Sequence, residues 1–290
     1  MEKRLYILSA LLLCLVLSGC PDTTTPTNTV NGFTGSIYYS NGNFVYRMEL
    51  SKQVVTQLFR FVEDPDITAN GEILCRELSP ARLIYSDITG ANRKLLLVDE
   101  NNSGPIHQRE ITHPRISYNQ KYVVYESRRY RQDRESYVID AVTGALVTRI
   151  GDNSKSQSLI SPSWAPDGSI IVQGGFPTNN GIYKVSADFS TTTRIDPNLT
   201  NVSEPSVSPD GSTIAFIRDS QLYTMGIDGT NPLQLYTSNL QFSIPTWSPD
   251  SKYIAAVSKG IIYIFDVKNK TATQITTSHF VGDLSQLSWR

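Results

Sequence analysis

Residues 204–235 read EPSVSPDGSTIAFIRDSQLYTMGIDGTNPLQL, and the pattern of this stretch recurs along the chain. Its core is Pro-x-(apolar)-Ser-Pro-Asp-Gly, followed by a short apolar segment. A proline is followed two residues later by an apolar anchor residue at five places: Pro65 with Ile67, Pro114 with Ile116, Pro162 with Trp164, Pro205 with Val207, and Pro245 with Trp247. Trp289 occupies the anchor position once more, so all three tryptophans of the chain are anchors.

The spacing of the anchors predicts the fold. They lie 49, 48, 43, 40 and 42 residues apart, and an average of about 44 is the period of a propeller blade rather than of a helical repeat. Asp-Gly between two β-rich segments predicts a tight turn, because Asp accepts hydrogen bonds from nearby backbone and Gly adopts positive φ. The apolar segments are rich in β-branched and aromatic residues, as buried strands are. We therefore expect an all-β, six-bladed β-propeller of four-stranded antiparallel blades.

The two ends of the sequence are expected to share one blade. Residues 36–39, 44–48 and 54–59 predict three strands that lack an innermost partner. Leu287, Ser288 and Trp289 would supply that partner. The C-terminal strand would then join the N-terminal blade, close the ring and remove exposed sheet edges. The predicted propeller spans residues 33–290, and a closed ring of this kind favours a monomer.

The Pro-Asp repeat resembles that of the TolB family and of the propeller domains of tricorn-like and prolyl-oligopeptidase-like proteins. The resemblance extends over the five anchors and the divided sixth blade. It implies a propeller fold and, through the TolB family, envelope protein partners. It implies no particular activity, since propellers host many functions. Two features depart from TolB, which is soluble and carries an additional N-terminal domain.

Residues 1–20 have the composition of a bacterial lipoprotein signal peptide. Lys3 and Arg4 precede an apolar run that ends in the sequence LSGC, with Cys20 as its last residue. The expected processing is cleavage before Cys20 and attachment of palmitate-like acyl chains, which would hold the protein to a lipid bilayer. The alternative is an ordinary signal peptide with an incidental cysteine. The predicted location is the bacterial cell envelope, facing the periplasm or exposed at the surface.

Residues 21–32 (PDTTTPTNTVNG) form a Thr/Pro-rich tether between this anchor and the propeller. Twelve such residues span about 20 Å as a coil and about 40 Å when extended. Of the three cysteines, Cys14 would leave with the signal and Cys20 would be lipidated. Cys75 would remain as a buried structural thiol, because it follows Leu74 in a predicted strand.

The order of strands in a four-stranded meander predicts two unlike faces. The first and third turns of every blade share one face, which we call the turn face. The second turns and the connections between blades share the other, which we call the variable face because its loops differ most in length. Loops of this kind carry binding residues in many folds, so the variable face is the expected partner-binding surface.

Two groups of residues on the variable face are candidate binding residues. The loop at residues 127–135 is the most charged, and it is either a partner-binding patch or a solvated hairpin tip; its candidate residues are Arg128, Arg129, Tyr130 and Arg131. Asp64, His113 and Glu204 directly precede anchor prolines and should ring the mouth of the central channel. They would bind a ligand or face water.

Other chemistry is weakly supported by the sequence. The formal net charge of −1 makes nucleic acid an unexpected partner. No Gly-x-Ser-x-Gly elbow, His-Glu-x-x-His or phosphate loop occurs, and no cofactor is predicted. His107, His113 and His279 are placed by the pattern in connections between blades, without a carboxylate spacing that completes a known ligand set. The leading hypothesis is a non-catalytic binding or scaffolding module for a protein or glycan. The alternative is a metal-dependent polysaccharide lyase or a glycan hydrolase with its site at the channel mouth.

Overall fold

A computed structural model of the chain confirms the six-bladed β-propeller. It describes residues 32–42, 44–78, 81–98, 108–129, 134–151, 158–174, 180–196, 199–275, 279, 281–282 and 286–290. In this part of the chain 24 strands form six four-stranded antiparallel sheets. None of these residues belongs to a helix long and apolar enough to cross a membrane.

Each sheet is one blade, and the strands are numbered in chain order. Blade 1 contains β1 (Ser36–Ser40), β2 (Phe44–Glu49), β3 (Val54–Arg60) and the C-terminal β24 (Ser288–Trp289). Blade 2 contains β4 (Val62–Ile67), β5 (Ile73–Leu78), β6 (Ala81–Ser86) and β7 (Lys94–Val98). Blade 3 contains β8 (Gln108–Ile116), β9 (Tyr122–Arg129), β10 (Arg134–Asp140) and β11 (Leu146–Ile150).

The remaining three blades repeat the same order. Blade 4 contains β12 (Leu159–Trp164), β13 (Ile170–Gly174), β14 (Gly181–Val185) and β15 (Thr192–Arg194). Blade 5 contains β16 (Val202–Val207), β17 (Thr213–Arg218), β18 (Gln221–Gly226) and β19 (Leu233–Gln234). Blade 6 contains β20 (Ser243–Trp247), β21 (Tyr253–Ser258), β22 (Ile261–Asp266) and β23 (Thr271–Ile275). The first strand in each of blades 2 to 6 is the innermost one.

The hydrophobic core is divided among the blade interfaces. The described residues form six buried apolar clusters, and each lies between two neighbouring blades. Phe216 and Phe265 are fully buried on the second and third strands of their blades. Cys75 is likewise buried, and burial raises the pKa of its thiol. Because both faces of every blade are covered, each blade depends on its two neighbours for stability.

Ring closure occurs as the sequence predicts. Strand β24 pairs antiparallel with β1, placing Ile37 opposite Trp289. The Trp289 side chain is 2% exposed, and its indole N–H donates to the Thr34 carbonyl oxygen at 2.9 Å. Backbone hydrogen bonds between Ser36 and Arg290 extend the pairing to the last residue. The termini therefore share blade 1, and the ring has no open joint.

The third turns explain why the turn face tolerates little change. Gly144 has φ +71°, and a Cβ there would lie 2.0 Å from the Leu96 carbonyl oxygen of the preceding blade. Gly229 has φ +85°, and its Cβ would lie 1.9 Å from the Ile195 carbonyl oxygen. These turns press against the neighbouring blade, so they need a residue without a side chain and with a left-handed backbone.

Candidate functional site

Each innermost strand carries a β-bulge at the proline of the repeat. The pairing between the first two strands shifts at this point in blades 2 to 6. Proline cannot donate a ladder hydrogen bond, so its position in a strand requires such an irregularity. The residue before the proline has a left-handed backbone in all five blades: Asp64 (φ 52°), His113 (φ 51°), Ser161 (φ 50°), Glu204 (φ 53°) and Ile244 (φ 56°).

These five residues and Gln286, three positions before Trp289, form what we call the variable-face ring. Positive φ is uncommon outside glycine and re-aims the side chain and the N–H group. The His113 N–H donates to Asp64 Oδ2 at 3.2 Å, and the Ser161 N–H donates to Glu126 Oε1 at 2.7 Å. The Ile244 N–H donates to Glu204 Oε2. The carboxylates of the channel thus satisfy backbone donors that the bulges remove from the sheet.

His113 and Glu126 form an ion pair beside the channel. His113 Nδ1 lies 3.4 Å from Glu126 Oε1, and Arg134 Nη1 lies 3.6 Å from Glu126 Oε2. Burial alone would lower the pKa of His113, but the Glu126 and Asp64 carboxylates outweigh it and raise that pKa to about 9. Burial alone would raise the pKa of Glu126, but His113, the Ser161 N–H and Arg134 lower it overall. The pair is therefore charged near neutral pH.

Asp64 and Glu204 differ from Glu126 because neither makes an ion pair within the described residues. Asp64 is 4% exposed and accepts the backbone N–H groups of His113 and Gln286. Burial raises the pKa of Glu204, opposed by the Ile244 N–H and by His113. Both carboxylates belong to the variable-face ring, which also carries the cationic His113.

A cavity of about 650 Å³ opens at the variable face between blades 1, 2 and 3. Its walls carry both signs of charge. Arg76 pairs with Glu63, while Arg134 donates to Thr112 Oγ1 at 2.7 Å and lies 3.5 Å from Glu110. Below it, a narrower space of about 80 Å³ is lined by His113, Glu126 and Glu204 among others. The arrangement provides a concave, polar surface with fixed charges.

Gln286 partly closes the channel beneath these cavities. Its side chain is fully buried, and its Nε2 donates to the carbonyl oxygens of Pro65 at 3.2 Å and Pro114 at 2.9 Å. One residue of blade 1 therefore contacts the innermost strands of blades 2 and 3. The C-terminal segment both closes the ring and narrows the channel.

A second ring lies two residues further along each innermost strand. We call it the turn-face ring, and its members are Asp66, Arg115, Ser163, Ser206, Thr246 and Ser288. The turn-face ring lines a separate pocket of about 300 Å³ at the other end of the channel.

The structure places the predicted site residues differently from one another. Asp64, His113 and Glu204 lie in the variable-face ring, as expected from their positions before proline. The expectation that His113 lies in a connection was wrong: it is inside β8, because this strand begins five residues earlier, at Gln108. His279 does lie between blades and packs on the Tyr46 ring at 4.6 Å.

The other predicted residues lie at the end of β9 or outside the described residues. Arg128 and Arg129 are the last two residues of β9. Tyr130 and Arg131 lie outside the described residues, as do His107 and Cys20. The partner-binding role of the loop at residues 127–135 and the lipidation of Cys20 remain predictions.

The donor groups do not form a metal site in the part of the chain that the structure describes. No group of three or more His, Cys, Asp or Glu side chains is placed there to share one ion. His113 is engaged with Glu126, and His279 with Tyr46. No catalytic step through a metal is therefore derived.

Sequence reasoning missed the residues that make the variable-face cavity a charged site. Glu63 and Arg76 come from positions that the repeat does not mark, as does Glu126 in the narrower space beneath, whereas Arg134 lies within the charged segment at residues 127–135. Gln286 could have been found, because it stands three residues before Trp289 as Ser161 stands three before Trp164. The chain has Leu287 where the repeat has proline, so the proline pattern does not mark Gln286.

The geometry defines a class of protein: a closed six-bladed propeller with Pro-Asp repeat turns and a polar central channel. Residues 73–285 match the sequence family described as the TolB beta propeller domain, and the chain belongs to this family.

Solved structures agree on the fold. TolB from Acinetobacter baumannii superimposes with a TM-score of 0.69 at 14% identity, covering 88% of this chain and 66% of that protein, or just under two thirds of its length. A putative TolB from Agrobacterium tumefaciens superimposes with a TM-score of 0.68 at 14% identity, covering 89% and 99%. An oligogalacturonate lyase in complex with manganese gives 0.58 at 16% identity, covering 80% and 70%.

Proposed function

We propose that this chain is a lipid-anchored propeller of the bacterial cell envelope that binds a protein or glycan partner at its variable face, without catalysis. The observation that carries the proposal is the cavity of about 650 Å³ at that face, with fixed charges of both signs on its walls. Family membership supports a binding role, because the chain shares its propeller type with TolB. The turn face is constrained by folding, whereas the loops of the variable face are free to specialise.

The chemistry of the cavity suits a polar partner surface. Glu63, Asp64 and Glu110 contribute acidic groups, and Arg76 and Arg134 contribute guanidinium groups. Charged groups held by neighbouring side chains lose little freedom when a partner binds, so they favour specific recognition. The predicted loop at residues 127–135 includes the end of β9 and Arg134, which lines this cavity. Its Arg128, Arg129, Tyr130 and Arg131 supply the residue types enriched at binding hot spots.

Lipid anchoring through Cys20 is the second part of the proposal. The Leu-Ser-Gly-Cys sequence after the apolar run supports it. Changing Cys20 to Ala should give an uncleaved precursor that takes up no labelled palmitate in the native host. Palmitate uptake equal to that of the wild type would refute lipidation at this residue.

Partner binding is tested with two matched triple variants of the full chain. Arg128, Arg129 and Arg131 are changed together to Ala at the variable face. Lys252, Lys268 and Lys270 are changed to Ala in the turns at the opposite face. Each protein is used to capture partners from an envelope extract, and circular dichroism checks its fold. Only the first variant should lose a captured partner, because only its cations lie on the proposed surface. Equal capture by both variants would reject this loop as the binding site.

A metal-dependent lyase or glycan hydrolase is the alternative function. The likeness to the oligogalacturonate lyase concerns the fold only, given 16% identity. Stoichiometric manganese, calcium or zinc in the protein purified without added metal would favour this alternative. Loss of that metal on changing His113 to Gln would place it in the channel.

A further inference from the structure

The pocket at the turn face has a chemistry unlike that of the variable-face cavity. It encloses about 300 Å³ and is lined by all six members of the turn-face ring. Arg115 and Arg290 supply its cationic groups. Pro162, Pro205 and the anchor tryptophans add apolar wall. This combination of cations, hydroxyls and apolar surface is typical of a small-molecule site.

The two guanidinium groups have unused donors directed at this pocket. A guanidinium carries five N–H donors and no acceptor. Within the described residues, Arg115 makes one hydrogen bond, from Nη1 to the Leu287 carbonyl oxygen at 2.9 Å. Arg290 also makes one, from Nε to the Ile67 carbonyl oxygen at 3.1 Å. The remaining N–H groups of both side chains have no protein acceptor at hydrogen-bond distance there.

Asp66 does not supply that acceptor. Its Oδ1 lies 4.0 Å from Arg115 Nη1 and 3.7 Å from Arg290 Nη2, beyond the length of a hydrogen bond. The Asp66 carboxylate instead accepts the Ile116 N–H and the Ser288 hydroxyl, both at 2.9 Å. Asp66 is therefore already satisfied, and it leaves the remaining N–H donors of both guanidinium groups without an acceptor.

The hydroxyl groups of the ring add further donors. The side chains of Ser206 and Thr246 line the pocket, and neither hydroxyl bonds to another residue in the described part of the chain. Ser163 Oγ accepts the Val207 N–H at 3.0 Å, so its own hydrogen is free to point into the pocket. The site thus presents an excess of hydrogen-bond donors over acceptors.

We propose that the turn-face pocket binds the carboxylate of a small organic acid that has an apolar body. A carboxylate matches the planar guanidinium geometry with two parallel hydrogen bonds and neutralises one charge. The apolar body would lie against Pro162, Pro205, Trp164 and Trp247. Each guanidinium would gain an acceptor that the protein alone does not provide.

This site is separate from the proposed partner surface. The two lie at opposite ends of the channel, with Gln286 and the narrow space beside His113 between them. The proposal rests on Arg115, Arg290 and the hydroxyl groups of the turn-face ring, none of which lines the variable-face cavity. Its failure would leave the partner-binding proposal untouched, and the reverse also holds.

Cyclohexanecarboxylate is a suitable probe, with cyclohexanecarboxamide as the uncharged compound of nearly the same shape. All three tryptophans line the pocket, so intrinsic fluorescence should change on binding, and calorimetry gives the affinity. The carboxylate should bind saturably to the full chain at constant ionic strength. The carboxamide should bind about tenfold more weakly or less, since it lacks the charge-assisted hydrogen bonds.

Arginine variants locate the site. Arg290→Gln should weaken carboxylate binding about tenfold, and Arg115→Gln should do the same if its melting curve remains that of a folded ring. Arg82→Gln is the control, because Arg82 on β6 pairs with Glu77 on β5 and neither residue lines the pocket. The proposal is overturned if the wild type shows no saturable binding or if the carboxamide binds equally well. Unchanged affinity in Arg290→Gln or preferential binding of inorganic phosphate would also overturn it.

Discussion

The two rings of the channel lie two residues apart on the same six chain segments, yet their chemistry differs. The variable-face ring carries Asp64 and Glu204, whose carboxylates accept backbone N–H groups of the bulges. The turn-face ring also uses its acceptors in this way, because Asp66 accepts the Ile116 N–H and Ser163 Oγ accepts the Val207 N–H. Backbone geometry explains the role of the acceptors, because an irregular inner strand exposes N–H groups that need them. The turn-face ring differs in its donors, since Arg115 keeps N–H groups that no described residue accepts.

The difference between the rings shows which channel residues support a ligand-binding role. An acid next to a bulge has a structural role even when it faces the channel, so its presence alone is poor support for ligand binding. Donors that the fold does not use, such as those of Arg115, are stronger support. The following predictions test this division, beginning with the segment that reaches both rings.

The largest effect should come from Trp289. The C-terminal segment places Gln286 in one ring and Ser288 in the other, and the Trp289 side chain secures it between Tyr253 and Thr34. Trp289→Ala should lower the free energy of unfolding by about 3–5 kcal/mol, because a large buried side chain is lost. Chemical denaturation followed by circular dichroism measures it. Val142→Ala, at a residue that is 66% exposed, is the control. A cost for Trp289→Ala no greater than that of the control would show that β24 does not stabilise the ring.

A smaller loss should follow removal of the Glu126 charge. Glu126 is 3% exposed and is the partner of both His113 and Arg134. Glu126→Gln leaves those cations without their carboxylate, which should cost about 3 kcal/mol. Glu204→Gln is the matched change at a second carboxylate that lines the same narrow space. It should cost little or stabilise the fold, because burial already disfavours the Glu204 charge.

Equal losses of unfolding free energy in these two variants would mean that Glu126 and Glu204 have interchangeable structural roles. The free energies of unfolding at pH 7 would decide this. Binding of cyclohexanecarboxylate should remain unchanged in Glu204→Gln, because the carboxylate site lies at the other end of the channel.

The positions of both rings could be predicted from the sequence, but their chemistry could be predicted only in part. The proline that follows marks residues 64, 113 and 204 as members of the variable-face ring. The anchor residue marks the residue before it as a member of the turn-face ring. A repeat of about 44 residues is therefore enough to place both rings. Glu126 could not be recognised, since nothing in the segment VVYESRR shows that its side chain contacts His113 on β8 and Ser161 on β12. Arg115 could not be recognised either. Its unused donors are evident only from its distances to Asp66 and Leu287, which no sequence pattern encodes.

The pH dependence of stability should distinguish His113 of the variable-face ring from Arg290 of the turn-face pocket. The folded state raises the pKa of His113 from 6.5 to about 9. Its stabilising contribution is therefore complete below pH 6.5 and is lost as the pH rises through about 9. The melting temperature of the wild type should fall over this interval relative to that of His113→Gln. Arg290→Gln should retain the wild-type slope. A slope that is identical in the wild type and in His113→Gln would show that His113 is not the titrating group.

The smallest effect compares the two faces through a pair of serine changes. Ser208 is fully buried in a first turn, where its hydroxyl donates to Asp210 Oδ1 at 2.6 Å and accepts the Thr213 N–H at 3.0 Å. Ser248 has the same two bonds in the next blade. Ser208→Ala removes both bonds and leaves the Thr213 N–H without this acceptor, which should cost about 1–2 kcal/mol of unfolding free energy.

Ser238→Ala is the matched change at the variable face. The Ser238 hydroxyl accepts only the Leu240 N–H, at 3.1 Å, in the connection between blades 5 and 6. Water can replace this bond, so the cost should stay within about 0.5 kcal/mol. Chemical denaturation of both variants under the same conditions gives the difference. If Ser238→Ala were as costly as Ser208→Ala, the variable face would be constrained by folding as strongly as the turn face. Its loops would then have no special freedom to adapt to a partner.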